Sequence, residues 1–228
     1  MGGALKSISQ WMERLQQSSR ERLRETCSLR GFHVAVENTR PDISTAAVLE
    51  RLDEALALIE RYQPWRLRHL RRDLLQFWIV RYPCRGAYFP AQRTCMIELT
   101  FLARRDLSAA QVAASVIHEG MHARVDQRRL RTESRDRARE ERLCRRAEID
   151  FGRALPPDLG APIVERAEAI AVASDEEVAP RIDWREAALR QYLIDLDASP
   201  LPHWVKRTVG AVARYRVRAA QARAKGAT

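Results

Sequence analysis

Ser108–Ala123 reads SAAQVAASVIHEGMHA, and the rest of the chain is read outward from it. Ser108 followed three residues later by Gln111 is a capping box, which starts a helix at about Ala109. Ala113, Ile117 and Met121 then recur every four residues, with Val112 and Val116 beside them, so the pattern predicts a helix that is mostly buried. His118, Glu119, Gly120, Met121 and His122 spell H-E-x-x-H on that helix. Residues four apart share a face about one turn (~5.4 Å) from each other, a spacing that suits two imidazole nitrogens on one zinc ion at ~2.0–2.1 Å. Glu119 lies beside them, where a carboxylate can take a proton from metal-bound water. Gly120 costs ~1 kcal/mol against Ala inside a helix, and its presence there predicts close approach by another backbone.

A catalytic zinc takes three protein ligands and leaves a position for water, so a further donor is required. The segment Arg137 to Leu155 reads as a helix halted by Pro156 and Pro157, with an inward stripe through Glu141, Cys144, Glu148, Phe151 and Leu155. Carboxylates on a stripe otherwise fit for a core need a partner, because an unpaired buried charge costs several kcal/mol. Glu141 is the best candidate for the third ligand. Glu140, Glu148, Glu133 and Cys144 are its rivals.

With eighteen residues between His122 and Glu141, the pattern H-E-x-x-H-x18-E resembles the gluzincin metallopeptidases, the group of thermolysin-like and aminopeptidase-N-like enzymes. The resemblance implies zinc held by His118, His122 and Glu141, with Glu119 as the general base of peptide-bond hydrolysis. It covers only about 35 residues. No G-x-M-E-N exopeptidase signature is present, and Arg-Leu-Cys follows Glu141 where thermolysin-like enzymes carry N-E-x-x-S-D. Subfamily and substrate are therefore not carried over. By the same resemblance, Tyr88 to Leu99 is the candidate substrate-facing segment, on a sheet edge that an extended peptide can join.

The 228 residues suffice for one domain, or one with an appended lobe, and 46% hydrophobic with 31% charged content belongs to the soluble globular class. No apolar run is long enough for a transmembrane helix and no secretory leader is visible, so a cytoplasmic protein is expected. Cys27, Cys84, Cys95 and Cys144 form no C-x-x-C pair, so reduced thiols are the default. Cys84 and Cys95 flank a turn and become bridgeable only if the protein is exported. The formal charge of +10 is almost all arginine, and Ala123 to Ala147 alone holds ten arginines against five acidic residues. Acids alternate with these arginines and no aromatic platform interleaves them, so a solvated helical face outweighs a nucleic-acid surface.

Along the chain, Met1 to Arg30 reads as an amphipathic helix broken by Gly31, followed by a short strand Phe32 to Val36. Asp42 or Ser44 caps a helix over Thr45 to Tyr62 with Val48, Leu52, Leu56 and Ile59 inward. Pro64 ends it, and Trp65 to Leu70 follow. Leu74 to Tyr82 and Thr94 to Leu102 read as strands around turn chemistry at Pro83 to Pro90. Beyond the proline pair come helical segments over Ala161 to Ala173, over Trp184 to Leu196 capped by Asp183, and over His203 to Lys225. By resemblance the C-terminal lobe closes the cleft. A transition-state oxyanion wants a donor besides zinc, for which His203, Tyr192 and Tyr215 are candidates, with Glu148 as a supporting group behind the ligands.

The expected architecture is α+β, mainly α: a zincin-like fold with a three- to four-stranded sheet packed on the His118 helix. Its parts are an N-terminal helical arm and short strand (1–43), a catalytic core (44–156) and a C-terminal helical lobe (157–228). The expected function is zinc-dependent cleavage of a peptide or protein substrate. The alternative is a metal-binding regulatory or interaction module of the same fold without turnover.

Overall fold

The computed structural model describes residues 24–128, 137–179, 183–198 and 201–225. The fold is α+β and mainly helical, around a small mixed sheet of five strands instead of the three or four expected. Met1–Pro180 and Arg181–Thr228 form two compact units.

The extra strand lies where a helix was expected. Arg24–Leu29 is β1, antiparallel to β2 (Phe32–Glu37), with Leu29 opposite Phe32. Between them Arg30 (φ 47°) and Gly31 (φ 81°) are both left-handed, as a two-residue type I′ turn requires. A non-glycine residue is strained in that region, and Arg30 is held there from outside the hairpin. Its guanidinium bonds Asp53 at 2.7 Å and Glu60 at 2.8 Å, while its carbonyl accepts from Arg71 at 2.9 Å. The part of the expected helix before Arg24 lies outside the described residues.

Helix α1 (Thr45–Tyr62) starts at Ser44, whose hydroxyl accepts from the Ala47 amide, and buries Val48, Leu52, Ala55, Leu56 and Ile59. Pro64 opens α2 (Pro64–Asp73) as its first residue, where its missing N–H costs nothing. β3 (Gln76–Val80) runs parallel to β2. β4 (Gly86–Phe89) falls inside the expected turn region and pairs antiparallel with β5 (Thr94–Glu98), which is itself parallel to β3. The order is β1-β2-β3-β5-β4, so β5, the strand nearest the His118 helix in sequence, is interior instead of the expected edge, and β1 and β4 are the two edges.

The strand expected over Thr94 to Leu102 stops at Glu98. There the carboxylate turns back to accept from the Phe101 amide at 2.7 Å and caps a short helix, α3 (Leu99–Ala103). The Arg81 guanidinium bonds the same carboxylate. Cys84 and Cys95 are free thiols.

Helix α4 (Ala109–Gln127) begins with the expected capping box and buries Val112, Ala113, Val116 and Ile117 in the central core. It packs against α1, α2, β4 and α5 (Arg137–Ala154). Gly120 gives the closest approach. A Cβ there would lie 2.2 Å from Leu70 Cδ2, so the neighbour is a side chain of α2 and not another backbone. A new helix, α6 (Pro157–Ala171), starts at the proline pair and belongs to the first unit, as does the short α7 (Asp175–Val178).

The second unit holds α8 (Trp184–Ala198) and α9 (His203–Lys225), packed on each other through Gly210 and Leu193. Asp183 accepts from the Glu186 amide at 3.2 Å, as a cap does. No helix among the described residues is long and apolar enough to cross a membrane.

Candidate metal centre

One turn of α4 sets His118 and His122 side by side, and α5 crosses beneath them with its acidic stripe. The two Nε2 atoms stand 3.2 Å apart. Glu141 spans both, with Oε2 at 3.2 Å from His118 Nε2 and Oε1 at 3.6 Å from His122 Nε2. Tetrahedral donors at ~2.0–2.1 Å from zinc stand roughly 3.3 Å from one another. The Nε2–Nε2 separation and the 3.2 Å from His118 Nε2 to Glu141 Oε2 are each of that size, and the second carboxylate oxygen leans to His122.

The opposite ring nitrogens are also occupied. His118 Nδ1 lies 2.7 Å from Glu148 Oε1, and His122 Nδ1 lies 2.7 Å from Glu140 Oε1. A carboxylate at Nδ1 fixes the proton there and turns the Nε2 lone pair towards the shared point, the arrangement metal-ligating histidines use. The carboxylates on both sides of the His118 ring favour its protonated form. Burial pulls its pKa down, but the hydrogen bonds to Glu141 and Glu148 prevail and raise it to about 9. Burial raises the carboxyl groups of Glu141 and Glu148, and the adjoining His118 more than reverses this, so both are lowered.

Glu148, 1% exposed, is further clamped by Arg145 at 2.6 Å and Arg166 at 2.9 Å. Of the expected rivals for the third ligand, Glu140 and Glu148 are thus turned to the far sides of the imidazoles. Glu133 lies outside the described residues. Cys144 remains: its sulfur groups with the ring nitrogens of His118 and His122 within 4.8 Å. Burial and the charges of Glu141 and Glu119 raise its thiol well above the usual range, whereas the carboxyl of Glu141 is lowered by His118 and stands 3.2 and 3.6 Å from the two ring nitrogens.

Glu119 is 9% exposed, and burial raises its carboxyl above the usual range, which brings it nearer to the working pH of a general base. Gly86, the first residue of β4, lies against it: a Cβ there would sit 3.1 Å from Glu119 Oε1. Two residues on, the Tyr88 hydroxyl donates to Asp126 at 3.0 Å and fastens the edge strand to α4. His203, Tyr192 and Tyr215 belong to the second unit and are exposed.

Arg145, Arg166 and Gly86 were not among the expected site residues. Arg145 stands three residues before Glu148 on one helix face, a spacing visible in the sequence, whereas Arg166 and Gly86 arrive from elements that only the tertiary fold brings near. Comparison with protein-family models, curated proteins and solved structures yields no match for this chain.

Proposed function

We propose that the protein is a zinc-dependent hydrolase cleaving a peptide bond, with His118, His122 and Glu141 as metal ligands and Glu119 as general base. The observation that carries this reading is the convergence of two oriented imidazoles, their Nε2 atoms 3.2 Å apart, on one ionised carboxylate, whose Oε2 lies 3.2 Å from His118 Nε2 and whose Oε1 lies 3.6 Å from His122 Nε2. Zinc bound there would supply a Lewis acid that polarises the scissile carbonyl and acidifies the attacking water. Glu119 takes the proton of that water and returns it to the leaving amine. Glu140 and Glu148 hold the imidazoles in the ligating tautomer, and β4 offers the edge on which an extended substrate lies.

The test is metal analysis of wild type beside His118→Ala and Glu141→Ala, joined to turnover measured on Glu119→Gln. The reading expects zinc in the wild type, zinc lost from the first two variants, and a third that keeps zinc but cleaves nothing. Full activity in Glu119→Gln would overturn it.

A second reading, a metal-binding module without turnover, is favoured by the enclosure of Glu119 under Gly86. A fully zinc-loaded wild type that leaves every member of a peptide library intact would select it.

A further inference from the structure

Seven of the eleven large apolar side chains exposed among the described residues belong to the smaller unit, Arg181–Thr228. Four of them, Leu201, Trp204, Val212 and Tyr215, lie on α9 or just before it, and Trp204 and Tyr215 are 71% and 73% exposed. α9 packs on α8 through Gly210, beside the half-buried Val209, Ala213 and Val217. On the opposite side Trp204, Thr208, Val212 and Tyr215, spaced by fours and a three, form an exposed stripe. Arg207, Arg214 and Arg218 run along one border of that stripe and Arg216 stands on the other, all four exposed.

The charge of this unit is one-sided. It holds ten Lys and Arg against four Asp and Glu, and none of the four is on α9. Asp183 and Glu186 are engaged at the start of α8, the first as its cap and the second with Arg190 at 3.8 Å. Asp195 and Asp197 lie on α8, which packs against the other side of α9. The guanidiniums of Arg207, Arg214, Arg216 and Arg218 pair with no carboxylate among the described residues. An exposed aromatic stripe between unpaired cations fits a partner that is anionic and has an apolar layer beneath its charge.

We propose that the outer face of α9 docks on an anionic phospholipid surface, with Trp204, Val212 and Tyr215 turned into the headgroup layer and the bordering arginines on lipid phosphates. Trp and Tyr join an apolar body to a polar tip and settle at that level of a bilayer. Arginine reaches phosphate with a planar fork while its stem lies along apolar surface. A nucleic-acid strand fits less well. Successive bases need closely spaced aromatic platforms, whereas Trp204 and Tyr215 stand ~16 Å apart along the helix with Thr208 and Val212 between them. A second copy of the chain would bring like-charged arginine rows together.

The experiment uses the full-length protein, sedimented with vesicles of phosphatidylcholine alone or mixed in equal parts with phosphatidylserine. Partition onto the anionic vesicles is expected to be at least about ten-fold stronger and to weaken as salt is added. Arg207→Gln combined with Arg214→Gln should remove that preference. Trp204→Ser combined with Tyr215→Ser should weaken binding to the anionic vesicles by at least about ten-fold, through lost insertion. Circular dichroism checks that each variant keeps its helices. Tryptophan emission should shift to the blue on binding, and Trp204→Phe should remove that shift. Equal partition onto both vesicles, no partition onto either, or a preference that survives the arginine pair overturns the proposal. So does binding untouched by the aromatic pair, or a blue shift that persists in Trp204→Phe. If the vesicles are ignored, binding of mixed-sequence DNA selects nucleic acid as the partner, and a dimer broken by Trp204→Ser selects a second copy.

Discussion

Glu148 Oε1 lies 2.7 Å from His118 Nδ1, on the side of the ring facing away from His122, and Arg145 and Arg166 hold that carboxylate in place. The imidazole is thereby aimed before any ion arrives.

Glu148→Gln should lower zinc affinity by ~10–100-fold, the usual effect of losing a carboxylate behind a ligating histidine. Competition with a chromogenic chelator reads this directly. Glu140→Gln, acting on His122 in the same way, should show a loss of similar size, and unchanged affinity in both variants would separate the carboxylates from the centre.

With the His118 pKa raised from 6.5 to about 9, zinc binding at this imidazole at neutral pH should displace a proton. Calorimetry in buffers of different ionisation enthalpy should report about one proton released per ion at pH 7, and affinity should climb until the pH passes about 9. The linked effect on the metal-free fold has the opposite sense. A raised folded-state pKa gives stability that is fully present below 6.5 and lost as pH rises through about 9, which chemical denaturation in the presence of a chelator measures.

Gly120→Ala places a methyl 2.2 Å from Leu70 Cδ2, so the buried Leu70 side chain must repack. A loss of ~1–3 kcal/mol is expected from overpacking of this kind. The double variant Gly120→Ala with Leu70→Ala should lose less than the sum of the two singles, since the second change removes the obstacle that the first creates. Urea denaturation of the four proteins checks this.

Gly86→Ala sets a methyl 3.1 Å from Glu119 Oε1, so the carboxylate must give by a few tenths of an ångström. Turnover should fall by about ten-fold, less than the ~100-fold that an ångström of misplacement can cost. Zinc content should not change, because none of the three proposed ligands is touched. The ratio of activity to bound zinc is the readout.

Local signals carried far into this fold, and non-local ones did not. The Ser108–Gln111 capping box places the start of α4 at Ala109 and the four-residue stripe after it gives its buried face, because a helix start is written in its own segment. Glu141, Glu148 and Cys144 were likewise legible as an inward stripe. The hairpin β1–β2 was not, since its left-handed Arg30 is stabilised by Asp53 and Glu60 on another element. β4 was lost inside a turn because four residues with a glycine carry little strand character until β5 pairs with them. Glu140 was weighed as a rival ligand, and only the crossing of α5 under α4 shows that it faces Nδ1 of His122 and not Nε2. Arg166 sits eighteen residues from Glu148 on a different helix, and no spacing rule reaches that far.

Cys95 and Cys144 are both fully buried, and burial holds their thiols protonated well above the usual range. An alkylating reagent in solution meets neither until the chain opens, because attack needs both access and a thiolate. The two sulfurs are therefore clocks set in different walls: Cys95 times the parting of the sheet, and Cys144 the lifting of α5 from α4. On the zinc reading, metal loading should slow the second clock more than the first.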